Sequence, residues 1–479
     1  MKKNIKLIPL LSLPFLLSGC FGIKIPSIFP WGGTSKTSSE NSSQSGNTSQ
    51  GGSTTSTKPG SKAAWTIMIY MCGSDLESGY DGSSTHASSA GLATLDIKEI
   101  LSVPNQPSDV NIIIETGGAR AWKSDYSISS TKLGRYHVAN QKLVKDAELT
   151  QAAMGAEATF ESFLKWGLES YPAEKTGVVL WNHGGGMRGV CYDETTVGKD
   201  DPLLTSETTT AFKNAIGNQK LEFVGYDACL MQVQDIAEKN SAYFNYMIAA
   251  QESEAGEGWE YNTWVDDLYA KKSTNVILKA ICDGFISAYE SSYGSQYAND
   301  QTLSYLDLSK MSAYKTAIEN IADEVGNGIK SYGKDNFYKQ LRKTAKNYGT
   351  QIMDKQDLED YGYSTSSSST YYYGNYGVDY INGYYYDWGG NYFGGYDVLD
   401  FFNKTKNLSG FSYTASKLTA VQNAFNDLVA YNAIGGDAGE SNGLCLYFPT
   451  NQYAEKSKYY STNETGFTKW RSMVNTYGA

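Results

Sequence analysis

Short apolar runs alternate with segments of helical periodicity from Ala63 onward, and most runs end in polar residues or glycine. Each run has the length and composition of a buried strand. The predicted strands are Trp65–Met71, Val110–Gly118, Val178–Trp181, Leu221–Tyr226, Tyr246–Ala250, Thr302–Leu308 and Gly443–Phe448. The predicted helices are Ala90–Leu101, Ala152–Ser170, Glu207–Ile216, Met311–Ile329, Phe337–Tyr348, Ala415–Tyr431 and Phe467–Tyr477. This alternation predicts an α/β fold with a mainly parallel sheet covered on both faces.

The first 62 residues have a different pattern. A short basic segment precedes the apolar stretch Leu7–Leu17, which is too short to span a bilayer and is typical of a secretory signal. The following Leu17-Ser18-Gly19-Cys20 resembles a bacterial lipobox, in which the cysteine is lipidated and becomes the new N-terminus. We therefore predict a signal peptide over 1–19, a lipid on Cys20 and an exported protein anchored outside the cytoplasmic membrane; the alternative is an ordinary signal peptide.

Composition separates the rest of the chain into three regions. Residues 20–62 are rich in Ser, Thr, Gly, Asn and Gln and predict a flexible linker after the lipidated cysteine. Residues 63–300 form the first part of the folded body, and 301–479 either complete that core or decorate it. Within the latter, 361–396 is a low-complexity insertion that contains 12 tyrosines. Exposed tyrosines suit adaptable binding surfaces, so a non-catalytic surface protein that binds peptides or glycans is the alternative function.

Charge and rare residues exclude several classes of function. The formal net charge is −11, from 40 basic and 51 acidic residues, which argues against a nucleic-acid partner and against binding to anionic lipid surfaces. With only three histidines and six cysteines, a histidine-based metal site or a disulfide scaffold is not expected. A GxGxxG pattern at 184–189 lacks the following helix of a dinucleotide site, and no GxSxG serine-hydrolase motif occurs.

Two of these rare residues directly follow predicted strands. His183 comes after Val178–Trp181, and Cys229 comes after Leu221–Tyr226. Because carboxyl ends of parallel strands meet at one edge of a sheet, the two side chains are expected to converge there. A histidine within hydrogen-bond reach activates a cysteine as a nucleophile. Cys191, eight residues after His183, is the rival nucleophile, but no strand precedes it.

Backbone groups around this pair suggest how a substrate would be held. Gly184 lacks a Cβ, so its amide can approach a substrate carbonyl closely. Together with the amide of Cys229 it could form an oxyanion hole. The remaining cysteines of the folded body, Cys72, Cys282 and Cys445, are expected to be structural.

The segments Asn182-His183-Gly184 and Asp227-Ala228-Cys229, each after a strand, resemble the clostripain family of cysteine peptidases. Weaker resemblance covers Trp65–Leu76, Gln251–Tyr261 and Gly443–Pro449, so it extends with gaps over most of the chain after Ala63. The resemblance implies a caspase-like α/β/α sandwich whose catalytic core lies in 63–300. It also implies an endopeptidase with a His183/Cys229 dyad that cleaves proteins or peptides after arginine or lysine.

The resemblance further assigns the acidic residue of the S1 pocket to Asp227; a turn or capping aspartate is the alternative. Glu254 and Glu257 are weaker additions, suggested by chain order alone. Some relatives cut themselves between the histidine and the cysteine, and Lys199 has the most loop-like surroundings in that interval. No cofactor is assigned. Calcium dependence, known in part of the family, stays open because no EF-hand-like loop is present.

Overall fold

A computed structural model describes residues 62–79, 91–195, 197, 201–293, 301–348, 352–353, 370–373, 376–381, 384–387, 394–436, 438–449 and 466–478. The predicted signal peptide, Cys20 and Lys199 lie outside these ranges, and so does all but one residue of the predicted linker. No helix within them has both the length and the apolar character required to cross a bilayer.

A nine-stranded mixed sheet with helices on both faces forms the centre of the molecule, as the strand–helix alternation predicts. Its strand order is β15-β8-β7-β6-β5-β1-β2-β3-β4. The strands are β1 (Ala63–Cys72), β2 (Val110–Gly117), β3 (Lys132–Ala139), β4 (Lys142–Thr150), β5 (Ala173–Trp181), β6 (Leu221–Asp227), β7 (Phe244–Ala249), β8 (Thr302–Asp307) and β15 (Val429–Ile434). The five central strands, from β7 to β2, are parallel, and the outer strands are antiparallel.

Successive residues of the central strands pack into two separate cores. In β1, Met68 and Tyr70 contribute to one core, while Ile67 and Ile69 contribute to the other, because side chains alternate across a strand. Helices α3 (Glu157–Ser170), α4 (Thr205–Ile216), α5 (Gln234–Asn240) and α8 (Met311–Tyr332) cover the first face. Helices α2 (Leu92–Ser102), α6 (Asn262–Tyr269) and α7 (Thr274–Tyr293) cover the second. A one-turn helix, α1 (Ser74–Ser78), follows β1.

Residues after 301 contribute directly to this sheet, because β8 and β15 both come from that part of the chain. Among the described residues, the remaining helices there are α9 (Lys334–Thr344), α10 (Val398–Thr405), α11 (Ala415–Leu428) and α12 (Thr468–Tyr477). A small sheet joins β9 (Asn347–Tyr348), β14 (Gly395–Asp397) and β16 (Cys445–Tyr447). The buried Asp397 carboxylate accepts a hydrogen bond from Gln251, which ties this small sheet to the segment after β7.

Several elements differ from the sequence prediction. The hairpin β3–β4 was missed because β4 is mostly exposed and charged, which weakens any apolar pattern. Helices α6 and α7 were missed as well. The predicted helix Ala415–Tyr431 ends at Leu428, where the chain enters β15, and α3 begins at Glu157 rather than at Ala152.

The tyrosine-rich insertion, predicted as a low-complexity segment, contains strands in its described parts. These are β11 (Thr370–Tyr373), β12 (Tyr376–Ile381) and β13 (Tyr384–Asp387), which pair in antiparallel fashion with one another and with β10 (Ile352–Met353). The rest of the insertion, except for Gly394 and the start of β14, lies outside the described residues.

Candidate active site

The ends of β5 and β6 bring the two segments predicted from the sequence side by side. Trp181 lies opposite Asp227 in the parallel register, and the Asn182 amide donates to the Asp227 carbonyl oxygen at 3.2 Å. Two residues further along, Gly184 contacts the backbone of Cys229. A Cβ on Gly184 would lie 2.1 Å from the Cys229 carbonyl oxygen, so only glycine allows this approach. His183 and Cys229 therefore follow neighbouring strands at one edge of the sheet.

Hydrogen bonds of the Asn182 side-chain amide group hold the segment around His183 in place. Its Nδ2 donates to the Cys72 carbonyl at the end of β1 at 2.7 Å, and its Oδ1 accepts from the Tyr192 amide at 2.7 Å. The His183 carbonyl accepts from the Cys191 amide at 3.2 Å. These bonds connect the end of β5 to β1 on one side and to the following loop on the other.

An aspartate that the sequence interpretation did not single out contacts His183. The Asp75 Oδ1 lies 2.8 Å from His183 Nε2, and the two side chains are 27% and 6% exposed. Burial opposes ionisation of Asp75, but the charge of His183 and its hydrogen bond outweigh burial and lower the pKa of Asp75 to about 2. The available signal was positional, because Asp75 also follows a central strand at the same edge of the sheet.

The Cys229 side chain is 3% exposed and lies against the segment after β7. Its Sγ accepts a hydrogen bond from the Glu254 amide at 3.1 Å. The neighbouring Gly184 amide donates to no other described residue, because the short bridge to Val190 uses the Gly185 amide and the His183 carbonyl instead. That amide is therefore available to a ligand.

A cleft of about 270 Å³ opens beside Cys229. Its lining is Leu76, Trp181, Asn182, Asp227, Ala228, Cys229, Glu254, Ala255, Gly256 and Gly258. Asp227 is almost completely buried in it, and its two oxygens accept from the Trp259 amide at 3.1 Å and from the Tyr261 hydroxyl at 3.0 Å. The predicted S1 residue thus lies in the same cleft as the cysteine.

Asp227 shares this buried environment with other carboxyl groups. Burial raises its pKa to about 7, although bonds from Tyr261 and Trp259 favour the charged form. Glu254 hydrogen-bonds to Asp227, and burial together with the Asp227 charge raises the pKa of Glu254 further. Burial and Asp227 also raise the pKa of Asp96, whose Oδ2 accepts from Trp181 Nε1 at 2.5 Å. Burial and the neighbouring Asp227 therefore both favour the neutral form of Glu254, which can donate a hydrogen bond to the Asp227 carboxylate.

The other candidates have different surroundings. Glu257 is exposed and does not line the cleft. Cys191 is buried in an apolar core, and burial raises the pKa of its thiol, which disfavours a nucleophilic thiolate. Cys72, Cys282 and Cys445 are buried. In the part of the chain that the structure describes, no three histidine, cysteine or carboxylate side chains are arranged to hold a metal ion.

The glycine-rich loop after β5 also differs from a dinucleotide site. Gly186–Arg188 forms a single 3₁₀ turn, and no α-helix begins on the glycines. The next helix, α4, begins only at Thr205. The loop therefore lacks the helix N-terminus that holds a pyrophosphate in such sites.

Comparison with known proteins decides the family. The model of the clostripain family of peptidases matches residues 78–476. The chain belongs to the clostripain family. Clostripain from Hathewaya histolytica is 24% identical over 467 residues, which cover 86% of this chain and 80% of clostripain. The protein is accordingly a cysteine endopeptidase that acts on peptide or protein substrates.

Solved structures show the same fold. A secreted C11 cysteine protease from Bacteroides thetaiotaomicron, called iotapain, superposes with a TM-score of 0.57 at 15% identity and covers 86% of this chain and all of its own. An inactive zymogen C11 protease from Parabacteroides distasonis gives a TM-score of 0.54 at 15% identity and covers 86% of this chain and 99% of its own. The sheet of this clostripain-family chain, mostly parallel at its centre with helices on both faces, is therefore that of C11 proteases.

Proposed function

We propose that the protein cleaves peptide bonds after arginine or lysine, with Cys229 as nucleophile and His183 as general acid and base. The observation that carries this proposal is the shared cleft: the Asp227 carboxyl group is buried within two residues of Cys229, at the end of the strand next to His183. A buried carboxylate without an internal cation favours a substrate that brings one.

The reaction follows from these positions. Asp75 Oδ1 accepts a hydrogen bond from the protonated Nε2 of His183, which leaves Nδ1 as the basic nitrogen. His183 takes the thiol proton of Cys229, and the thiolate attacks the substrate carbonyl carbon. The resulting oxyanion accepts hydrogen bonds from the amides of Gly184 and Cys229. His183 then donates its proton to the leaving amine, and water hydrolyses the thioester with His183 as base.

Substrate selection follows from the charge of the cleft. The guanidinium or ammonium group of a P1 side chain would pair with the Asp227 carboxylate, to which the Glu254 carboxyl group also donates a hydrogen bond. Such a charge-assisted contact is stronger than a neutral hydrogen bond. A substrate with an acidic P1 residue would instead meet two buried acidic groups and be rejected.

Fluorogenic peptides that differ only in P1 test the proposal. Arginine and lysine substrates should be cleaved, citrulline and leucine substrates poorly, and aspartate substrates not at all. Cys229→Ala and His183→Ala should each lower kcat by about 10³-fold or more, with unchanged melting temperature as the folding control. Cleavage that persists in Cys229→Ala but fails in Cys191→Ala would transfer the nucleophile to Cys191. Thiol-independent cleavage would refute the mechanism.

Self-processing after Lys199 is the second part of the proposal. Lys199 lies outside the described residues, but Val197 and Asp201 on either side are exposed. One relative of known structure is an inactive zymogen, which gives the family a precedent for processing. Wild type should yield two chains with a new N-terminus at Asp200, whereas Cys229→Ala and Lys199→Ala should stay intact. Full activity of uncut wild type would refute a processing requirement.

A lipid anchor on Cys20 is the third part, and it rests on the lipobox-like Leu17–Cys20 segment alone. Two acyl chains provide stable membrane attachment, and the Ser/Thr/Gly-rich linker would hold the peptidase away from the surface. Metabolic labelling with an alkyne fatty acid should mark wild type and not Cys20→Ser. Equal labelling of both proteins, or of neither, would contradict the anchor.

A further inference from the structure

The row of strand ends extends beyond the two residues assigned to catalysis. Strand β5 lies between β6 and β1, so Cys229, His183 and Asp75 follow three adjacent parallel strands at the same edge. Asp75 Oδ1 lies 2.8 Å from His183 Nε2 across 108 residues of chain. From this geometry we infer that Asp75 is a positioning residue that orients the His183 ring and stabilises its protonated form, completing a Cys229–His183–Asp75 triad.

The backbone around Asp75 is built to hold this side chain. Ser74 is buried and adopts a left-handed conformation with φ of 50°, which is unusual for a residue other than glycine, asparagine or aspartate. Its hydroxyl donates to Asp75 Oδ1 at 2.7 Å. The Asp75 carbonyl accepts from the Gly79 amide, which closes the short helix α1. Both ends of the residue are therefore fixed while its carboxylate faces His183.

Other carboxylates near Asp75 have partners of their own. Burial, with a smaller contribution from the charge of Asp75, raises the pKa of Glu194. The Glu194 carboxylate accepts a hydrogen bond from the Arg120 amide at 2.9 Å and lies 3.9 Å from Arg120 Nε. Glu77 accepts from the Thr94 amide and hydroxyl and from the Lys123 amide. Asp75 is thus the carboxylate directed at the imidazole.

This position has a mechanistic consequence. A carboxylate on Nε2 fixes the tautomer and favours the imidazolium, which in turn favours the thiolate of Cys229. Loss of the carboxylate charge should lower kcat and move the alkaline limb of the pH profile, where the imidazolium loses its proton, to lower pH. Substrate contacts in the cleft would be unaffected, so KM should change little.

The inference rests on the proposed function because it takes Cys229 as the nucleophile. The experiment distinguishes a failure of the positioning role of Asp75 from a failure of the proposed function. Asp75→Asn is compared with Asp109→Asn, which removes an equal charge from a partly exposed pair with Lys271 just before β2, at the opposite edge. Asp75→Asn should lower kcat at least about tenfold, keep KM within about threefold and shift the alkaline limb down by about one pH unit. Asp75→Glu, which keeps the charge, should restore the limb.

A second measurement does not depend on any peptide substrate. The rate of Cys229 alkylation by iodoacetamide in reduced protein reports the thiolate as a function of pH. Because loss of the Asp75 charge weakens the imidazolium that favours the thiolate, alkylation should begin at a higher pH in Asp75→Asn and not in Asp109→Asn. If wild type cleaves peptides and Asp75→Asn retains both profiles, the positioning role is overturned. If no peptide is cleaved but the alkylation profile shifts, the triad stands and the proposed specificity fails.

Discussion

Two aspartates lie on either side of His183, and their surroundings are opposite. Asp75, after β1, pairs with His183, and its pKa falls to about 2. Asp227, at the end of β6, is more deeply buried, and its pKa rises to about 7. Within the described residues no ion pair joins Asp227 to a cationic side chain; its partners are an amide, a hydroxyl and another carboxyl group. The first aspartate has a histidine partner within the chain, whereas we propose that the second takes its cation from a substrate.

Removal of the Asp227 charge is the strongest test of this difference. Asp227→Asn keeps one acceptor oxygen for the Trp259 amide, and its new Nδ2 can donate to the Tyr261 hydroxyl oxygen, but it removes the charge that would pair with P1. The preference in kcat/KM for arginine over citrulline should fall about 10²-fold or more, since buried charge pairs contribute several kcal/mol. Asp323→Asn, at a side chain that is 77% exposed, is the charge-matched control. An undiminished arginine preference would place the S1 acid elsewhere.

The close contact between Gly184 and the Cys229 backbone can be disrupted without changing the charge of Asp227. In Gly184→Ala the new Cβ would lie 2.1 Å from the Cys229 carbonyl oxygen, so the ends of β5 and β6 must move apart. We expect kcat/KM to fall about 10- to 100-fold, in proportion to an overpacking cost of about 1–3 kcal/mol.

Gly217→Ala is the matched control, because Gly217 has a positive φ and open space around it. It should lower the melting temperature without lowering kcat/KM. Equal losses of activity in the two variants would mean that Gly184→Ala acts through general stability.

The pKa of Asp227 predicts a pH dependence specific to cationic substrates. Its raised pKa means that a growing fraction is protonated, and unable to pair with P1, as the pH falls below about 7. The arginine-to-citrulline ratio of kcat/KM should therefore fall up to about tenfold per pH unit below pH 7 and be constant above it. Both substrates share the Cys229 and His183 chemistry, so the ratio cancels it. A ratio that does not vary with pH would mean that Asp227 stays ionised.

The proximity of His183 and Cys229 could be predicted from the sequence, because residues that directly follow neighbouring parallel strands lie at the same edge of the sheet. His183 and Cys229 each follow an apolar run, and the parallel order of β5 and β6 places their strand ends together. The same logic applies to Asp75, which follows the apolar strand β1. Its importance could not be assigned because aspartate after a strand is common in turns and caps, and only the strand order shows that β1 adjoins β5.

The parts that sequence patterns missed have physical causes. Strand β4 is exposed and charged, and β15 directly continues a helix, so neither has an isolated apolar run. The burial of Glu254 depends on a segment folding back over Cys229, whereas Glu257, three residues later, is exposed. Chain order does not distinguish these two glutamates, because the difference arises from tertiary packing.

The last expected effect is on stability, and it has the opposite sign to the effect on activity. Because the pKa of folded Asp227 is raised, the folded state binds more protons than the unfolded state between about pH 4 and pH 7. This contribution is favourable at low pH and is lost as the pH rises through that range. Asp227→Asn avoids the cost of a buried charge, so its gain in unfolding free energy should be about 2–3 kcal/mol larger at pH 8 than at pH 5.

Melting curves at the two pH values, without ligand, measure this difference as several degrees. The corresponding change at the paired aspartate should have the opposite direction: Asp75→Asn removes a carboxylate whose folded pKa is lowered, so it should destabilise the protein above about pH 4. A melting temperature that falls at pH 8 in both variants would mean that Asp227 also has an internal cation. The proposed contrast between Asp75, which pairs with His183, and Asp227, which would pair with a substrate cation, would then fail.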